Sequence, residues 1–100
     1  MSERVKVLIT IITESIVERS LLKTLDNLGV KGYTVMDVRG KGSTGSRGGD
    51  WQETSNIRVE VICKQPMAAT ITEAIKTRYF DHYATALYET PVTVVRSDKY

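Results

Sequence analysis

YTVMDVRGKGSTGSRGGDWQETSNIRVEVICK, residues 33–64, reads as two β-strands joined by a long polar loop. Residues 33–38 and 57–64 are rich in β-branched side chains, which suit a pleated, half-buried surface. In the second run Ile57, Val59, Val61 and Cys63 fall on one face. Arg58, Glu60, Ile62 and Lys64 fall on the other, which is the period of two that a sheet requires. Between the strands, residues 39–49 hold five of the chain's seven glycines together with Arg39, Lys41 and Arg47, and no acidic residue. Glycine lets backbone N–H groups turn inward and approach a ligand closely. The hydroxyls of Ser43, Thr44 and Ser46 and the three cations add donors for an oxyanion. Two readings stay open: a phosphate-binding loop, or the flexible linker that Gly/Ser-rich segments usually form. Residues 39–55 number 17, and unstructured loops above roughly 12–15 residues are mostly functional or disordered.

A loop of this kind inside a strand–loop–helix unit would suggest a dinucleotide fold, and Gly40, Gly42 and Gly45 do match G-x-G-x-x-G. That motif needs a helix to open directly from the loop. Here the chain runs on through Ser46, Arg47, Gly48, Gly49 and Asp50 with no helical pattern, so the match is rejected. No Gly-Lys-Ser/Thr follows at Walker spacing either. Trp51 within the loop reads as a ligand contact or as an anchor on a neighbouring subunit, since a tryptophan seldom stands fully exposed.

Outward from this centre, residues 5–12 are apolar and β-branched and read as a strand buried on much of both sides. Ser15 and Glu18 have capping-box spacing. Val17, Leu21, Leu22, Leu25 and Leu28 then form one helical stripe that Gly29 and Gly32 end. After the third strand, Pro66 suits a first helical turn, and Met67, Ile71, Ala74, Ile75 and Tyr79 mark the core face of a second helix. Residues 86–95 read as a last strand, with Pro91 marking a break, a bulge or an edge. The order β-α-β-β-α-β predicts an α+β fold of the ferredoxin-like kind, an antiparallel sheet with both helices on one face. The opposite face keeps Leu8, Ile12 and Ile62, too apolar for solvent, so an oligomer is expected.

One hundred residues with 41% hydrophobic and 26% charged content fit a single soluble domain, residues 1–100. The net charge of +2 is too small to point to nucleic acid by itself. RNA-binding sheets of this topology stack bases on aromatics of the two central strands. Strands one and three offer Leu8, Ile9, Ile62 and Cys63 instead. Cys63 is the only cysteine, which excludes an internal disulfide, and reads as a small core residue. His82 is the only histidine, so neither zinc nor a Ser/His/Asp arrangement is indicated. Tyr79, Phe80 and Tyr83 read as core or interface residues. No metal, prosthetic group or enzymatic activity is expected; a weak nucleotide hydrolase would need a placed base. No stretch approaches the roughly 18 apolar residues of a membrane span, and no secretory leader is visible. A cytoplasmic location without membrane insertion is expected.

KGYTVMDVRGKGS (31–43), NIRVEVI (56–62) and RYFDHYA (78–84) resemble the second strand and T-loop entrance, the strand leaving the T-loop, and the end of the second helix in PII-like signalling proteins. The order of elements agrees over the whole chain. KGYTVM with GKGS is most similar to the bicarbonate-related branch, which includes carboxysome-associated and transporter-associated members. The resemblance implies a PII-like homotrimer that binds an adenine nucleotide in each inter-subunit cleft, with a T-loop at about 40–56. Carried onto this chain, Gly40, Lys41, Gly42 and Ser43 would line the phosphates and Arg47 would reach them. Thr34, Val35 and Met36 would border the adenine, and Tyr88 and Glu89 would complete the cleft from the neighbouring subunit. Arg47 and Arg58 would hold bicarbonate. Residues 84–90, ATALYET, lack the glycines and lysine of the second nucleotide loop in standard PII proteins. ADP or AMP is therefore expected ahead of ATP, without magnesium or 2-oxoglutarate. The ending VVRSDKY has no cysteine pair, which favours the carboxysome-associated members over redox control. A protein target such as a bicarbonate transporter or a carboxysome-related component is implied. The rival classes are a nucleic-acid module and a nucleotide hydrolase.

Overall fold

Strand β1 (Val5–Glu14) occupies the middle of the sheet because its apolar residues alternate over ten positions and can be paired on both edges. In the computed structural model, which describes residues 3–40 and 55–100, β1 pairs antiparallel with β3 (Asn56–Cys63) on one side and β4 (Ala86–Thr93) on the other. Strand β2 (Thr34–Val38) adds antiparallel to β3, giving the order β2-β3-β1-β4. This is the ferredoxin-like arrangement that the sequence order implies. Pro91 lies in β4, whose only paired neighbour is β1, so its missing N–H is tolerated at an edge.

Helices α1 (Glu18–Asn27) and α2 (Gln65–Tyr79) supply the apolar layer. Ile9, Ile11, Ile57 and Val59 are fully buried with Leu25, Ala68, Ile71 and Ile75, and Val61 and Leu21 nearly so. Each such aliphatic side chain contributes about 1.5–3 kcal/mol by leaving water. Pro66 stands in the first turn of α2 as expected. Gly29 ends α1 at φ +89°. Its N–H donates to the Asp26 carbonyl at 3.1 Å, and the Val30 N–H donates to the Leu25 carbonyl at 3.2 Å. These are the paired bonds of a Schellman stop.

The capping box at Ser15 does not form. Glu14 holds the extended entry conformation, Ser15–Val17 make a short 3-10 turn, and no side-chain cap bond is present. The Ser15 N–H donates instead to the Ser55 carbonyl at 3.0 Å. That bond ties the helix entrance to the start of β3 and delays the α-helix to Glu18. The last strand ends at Thr93 rather than at 95. The next residue turns to the N-terminal segment: the Val94 N–H donates to the Arg4 carbonyl at 2.8 Å, and Arg4 Nε donates to the Val94 carbonyl at 3.1 Å.

A polar network joins the helices. The Tyr79 hydroxyl hydrogen-bonds with Ser20 Oγ at 2.7 Å and Thr24 Oγ1 at 3.1 Å, and Arg78 Nη1 donates to Thr24 Oγ1 at 3.3 Å. Tyr79 is thus a core residue, whereas Phe80, His82 and Tyr83 are exposed. Cys63 is buried, as its apolar strand implies. Among the described residues no helix is long and apolar enough to cross a membrane.

Candidate functional site

The face of the sheet opposite the helices is ordered in rows set by strand register. One row runs Thr34, Glu60, Thr10, Tyr88 across β2, β3, β1 and β4. The next runs Met36, Arg58, Ile12, Ala86. Ile62, Leu8 and Thr90 form a third. No aromatic stands on the central strands β1 and β3, and Ile9 and Cys63 turn to the helix side. The base-stacking platform of an RNA-binding sheet is therefore missing.

Charge along β3 is internally paired. Arg58 and Glu60 are two residues apart and share the open face. Arg58 Nε donates to Glu60 Oε2 at 3.1 Å, and Nη2 lies 3.0 Å from the same oxygen. Both side chains are about one-third exposed, at 36% and 28%, so the pair is worth at most about 1 kcal/mol. Beside it, Thr10 is fully buried and its Oγ1 has no hydrogen-bond partner among the described residues. A buried hydroxyl left so costs roughly 1–3 kcal/mol. Lys6, also buried, donates through Nζ to the Glu3 carbonyl.

A shallow cavity of about 270 Å³ opens where β2 begins. Lys31, Gly32, Tyr33 and Thr34 line one side, Glu60 and Ile62 the floor, and Lys99 and Tyr100 the other side. The chain reaches the cavity after Val94 through a 3-10 turn at Ser97–Lys99, so the C-terminal segment meets part of the apolar face. Ile62 offers a flat apolar contact, Glu60 an acceptor, and Lys31 and Lys99 positive charge.

Among the described residues, Thr34 is the one member of the expected nucleotide set that lines this cavity. Met36 shares its face one row along, beside Arg58, while Val35 points to the helix layer and packs against the core. Gly40 lies beyond the end of β2, exposed. At about 3.3 Å per residue it is roughly 20 Å from Thr34 along the chain. No neighbour within 4 Å and no positive φ requires a glycine there among the described residues. Tyr88 and Glu89 are consecutive in β4 and therefore point to opposite faces. Tyr88 is 45% exposed on the open side, and the Glu89 carboxylate accepts the Thr72 hydroxyl of α2 at 3.2 Å. Lys41, Gly42, Ser43, Arg47 and Trp51 lie outside the described residues.

Lys31, Gly32, Tyr33, Glu60, Ile62, Lys99 and Tyr100 complete the cavity; the first three stand in KGYTVM and the next two in NIRVEVI, yet none of the seven is assigned a ligand role from the sequence. Alternation alone placed Glu60 and Ile62 on the open face; the path of residues 94–100 is a tertiary fact. Burial pushes the Cys63 thiol above its ordinary value, and the Glu89 carboxylate adds to the push. Cys63 is thus no nucleophile at neutral pH. No group of three or more His, Cys, Asp or Glu residues is placed to hold a metal among the described residues.

The ferredoxin-like sheet, with the glycine-rich segment 39–49 between β2 and β3, defines the class of fold. The chain belongs to the nitrogen regulatory protein P-II family, whose model matches residues 6–99. A PII-like signalling protein from Thermus thermophilus is 43% identical, with 96% of this chain and 95% of that one covered at a TM-score of 0.80. CPII from Thiomonas intermedia, bound to ADP, AMP and bicarbonate, is 22% identical over 92% of this chain and 94% of its own, with a TM-score of 0.78. The same protein bound to ADP and bicarbonate gives 24% identity, coverages of 95% and 93%, and a TM-score of 0.80. At these lower identities the likeness is one of fold. Family membership makes the protein a signalling component and not an enzyme.

Proposed function

We propose that the protein is a homotrimeric adenylate and bicarbonate sensor that regulates inorganic-carbon uptake or fixation through a T-loop at about 40–56. It belongs, on this reading, to the bicarbonate-related branch of the family. The observation that carries it is that Thr34, on the cavity, and the glycine-rich segment stand at opposite ends of β2, a strand of about 13 Å. Two copies placed side by side join the cavity of one to the glycine loop of the next. The cavity's 270 Å³ is a little below the roughly 300–1,000 Å³ of complete small-molecule pockets, as suits half of a shared site.

In this arrangement Thr34 and Met36 border the adenine with their side chains and Val35 with its backbone, and Ile62 and Glu60 form the floor. Gly40, Lys41, Gly42, Ser43 and Arg47 gather the phosphates of ADP or AMP, with ATP a further candidate. Tyr88 completes the cleft from the neighbouring copy with its side chain, and Glu89 contributes only backbone there. Arg47 and Arg58 hold bicarbonate. CPII supplies the precedent for ADP, AMP and bicarbonate in one fold. Ordering a glycine-rich loop costs about 1–2 kcal/mol per residue, so the loop takes its signalling shape only when ligand contacts offset that cost. Its target is a protein such as a bicarbonate transporter or a carboxysome-related component.

Titration calorimetry with AMP, ADP and ATP, each with and without bicarbonate, tests this, together with a solution mass measurement. Micromolar nucleotide binding that tightens with bicarbonate is expected, and bicarbonate binding must tighten with nucleotide by the same factor. A trimer that binds no adenine nucleotide under either condition overturns the proposal.

A further inference from the structure

We infer that Glu60 is a two-position acceptor that couples the cavity to Arg58. Resting on the nucleotide reading above, it names how occupancy of the cavity is passed toward the loop. Three donor-bearing residues flank Glu60. Arg58 holds it along β3, through Nε and Nη2 on one oxygen. Thr34 and Thr10 face it from the two neighbouring strands. Directly opposed residues in an antiparallel pair have Cβ atoms about 4.5–5.5 Å apart, within reach of a glutamate. Thr10 Oγ1 is buried without a partner among the described residues, and Thr34 lines the cavity.

The present position satisfies Arg58 and leaves Thr10 unsatisfied. The other position turns the carboxylate toward the sheet centre and the cavity, where it accepts from Thr10 and from an amino group of a bound base. The first position is weakly held, because a part-exposed ion pair is screened by water. The second gains a bond for a hydroxyl that water does not reach. A ligand that offers an N–H donor in the cavity therefore draws Glu60 away from Arg58. The released guanidinium, two residues inside the start of β3, becomes available to an anion. The coupling is reciprocal: an anion that holds Arg58 frees Glu60 for the base.

The side-chain Nε–H resonance of Arg58, followed by NMR during titration with AMP, reads this directly. In the wild-type protein the resonance is expected to move as AMP saturates. In Glu60→Gln it is expected at the shifted position before AMP is added, and the mutual enhancement of AMP and bicarbonate falls from about 5-fold or more to about 1. Thr10→Val keeps the shape but removes the hydroxyl, and is expected to hold Arg58 in its AMP-free position at partial saturation. AMP binding by calorimetry with an unmoved Arg58 resonance overturns the inference and leaves the nucleotide reading standing. No AMP binding in calorimetry overturns both.

Discussion

The two faces of the sheet are built by the same alternation, yet they solve different problems. On the helix side Ile9, Ile11, Ile57 and Val59 are completely buried and belong to one apolar cluster with the helices. On the open side, one residue further along each strand, stand Thr10, Arg58, Glu60 and Tyr88. There a buried hydroxyl lacks a partner among the described residues and a salt bridge is partly in water. Stability comes from the first face. The second carries groups that packing does not explain, which is where ligand chemistry is to be sought.

Ile11 and Ile12 are adjacent and test this contrast most strongly. Ile11 faces the helices with no exposure, while Ile12 is partly buried on the open face. Ile11→Ala is expected to cost about 2–5 kcal/mol, the range for truncating a buried aliphatic side chain. The loss should be the same at low and high protein concentration. Ile12→Ala should cost less than half as much at low concentration and more as concentration rises, because copies packed on the open face contribute its burial. Denaturant midpoints at two protein concentrations measure both. Equal, concentration-independent losses would show that the open face is not covered by a second copy.

What the sequence made legible follows the same division. The helix face was readable because it repeats. Alternation at Ile57, Val59, Val61 and Cys63 and the stripe through Leu21 and Leu25 fix the sides of β3 and α1 without knowledge of the rest. The open face depends on which residues meet across strands, and that requires the register. Glu60 acquires its meaning only when Thr34 and Thr10 are placed on either side of it. Tyr100 reaches the cavity only because Val94 leaves β4 for Arg4. Local signals were also outcompeted at Ser15. Its capping chemistry is available, but the bond from its N–H to the Ser55 carbonyl sets a 3-10 turn first. Consecutive residues in a strand do not serve one face, which is why Tyr88 and Glu89 are divided between the two sides.

A second, smaller effect sharpens the picture of the helix side. The Tyr79 hydroxyl joins α2 to α1 through Ser20 and Thr24. Ser20 is exposed and can turn to water, and Thr24 retains Arg78. Tyr79→Phe should therefore cost only about 1 kcal/mol, the net value of an ordinary hydrogen bond. Thermal unfolding measures it. A loss approaching that of Ile11→Ala would mean that this polar network, rather than apolar burial, holds the helices on the sheet.

The smallest effect concerns pH and lies where the helix face meets β4. Cys63 is raised above its ordinary value of 9.0 first by burial and then by the Glu89 carboxylate. A raised value means that the folded protein holds the thiol proton more tightly than the unfolded chain does. The associated stability is fully present below the unfolded value and is lost as pH rises through the folded one. Wild-type stability should therefore fall above about pH 9 more steeply than that of Cys63→Ala, which has no thiol to titrate. Glu89→Gln removes the smaller cause and keeps the larger. Its alkaline slope should fall between those of the other two proteins. It also alters the bond from Thr72, but that offset does not change with pH in this range, so the slope rather than the midpoint is diagnostic. Urea midpoints between about pH 8 and about pH 10 for the three proteins decide it. A Glu89→Gln slope equal to wild type would show that the Glu89 charge does not reach the thiol, leaving burial as the whole cause of its inertness.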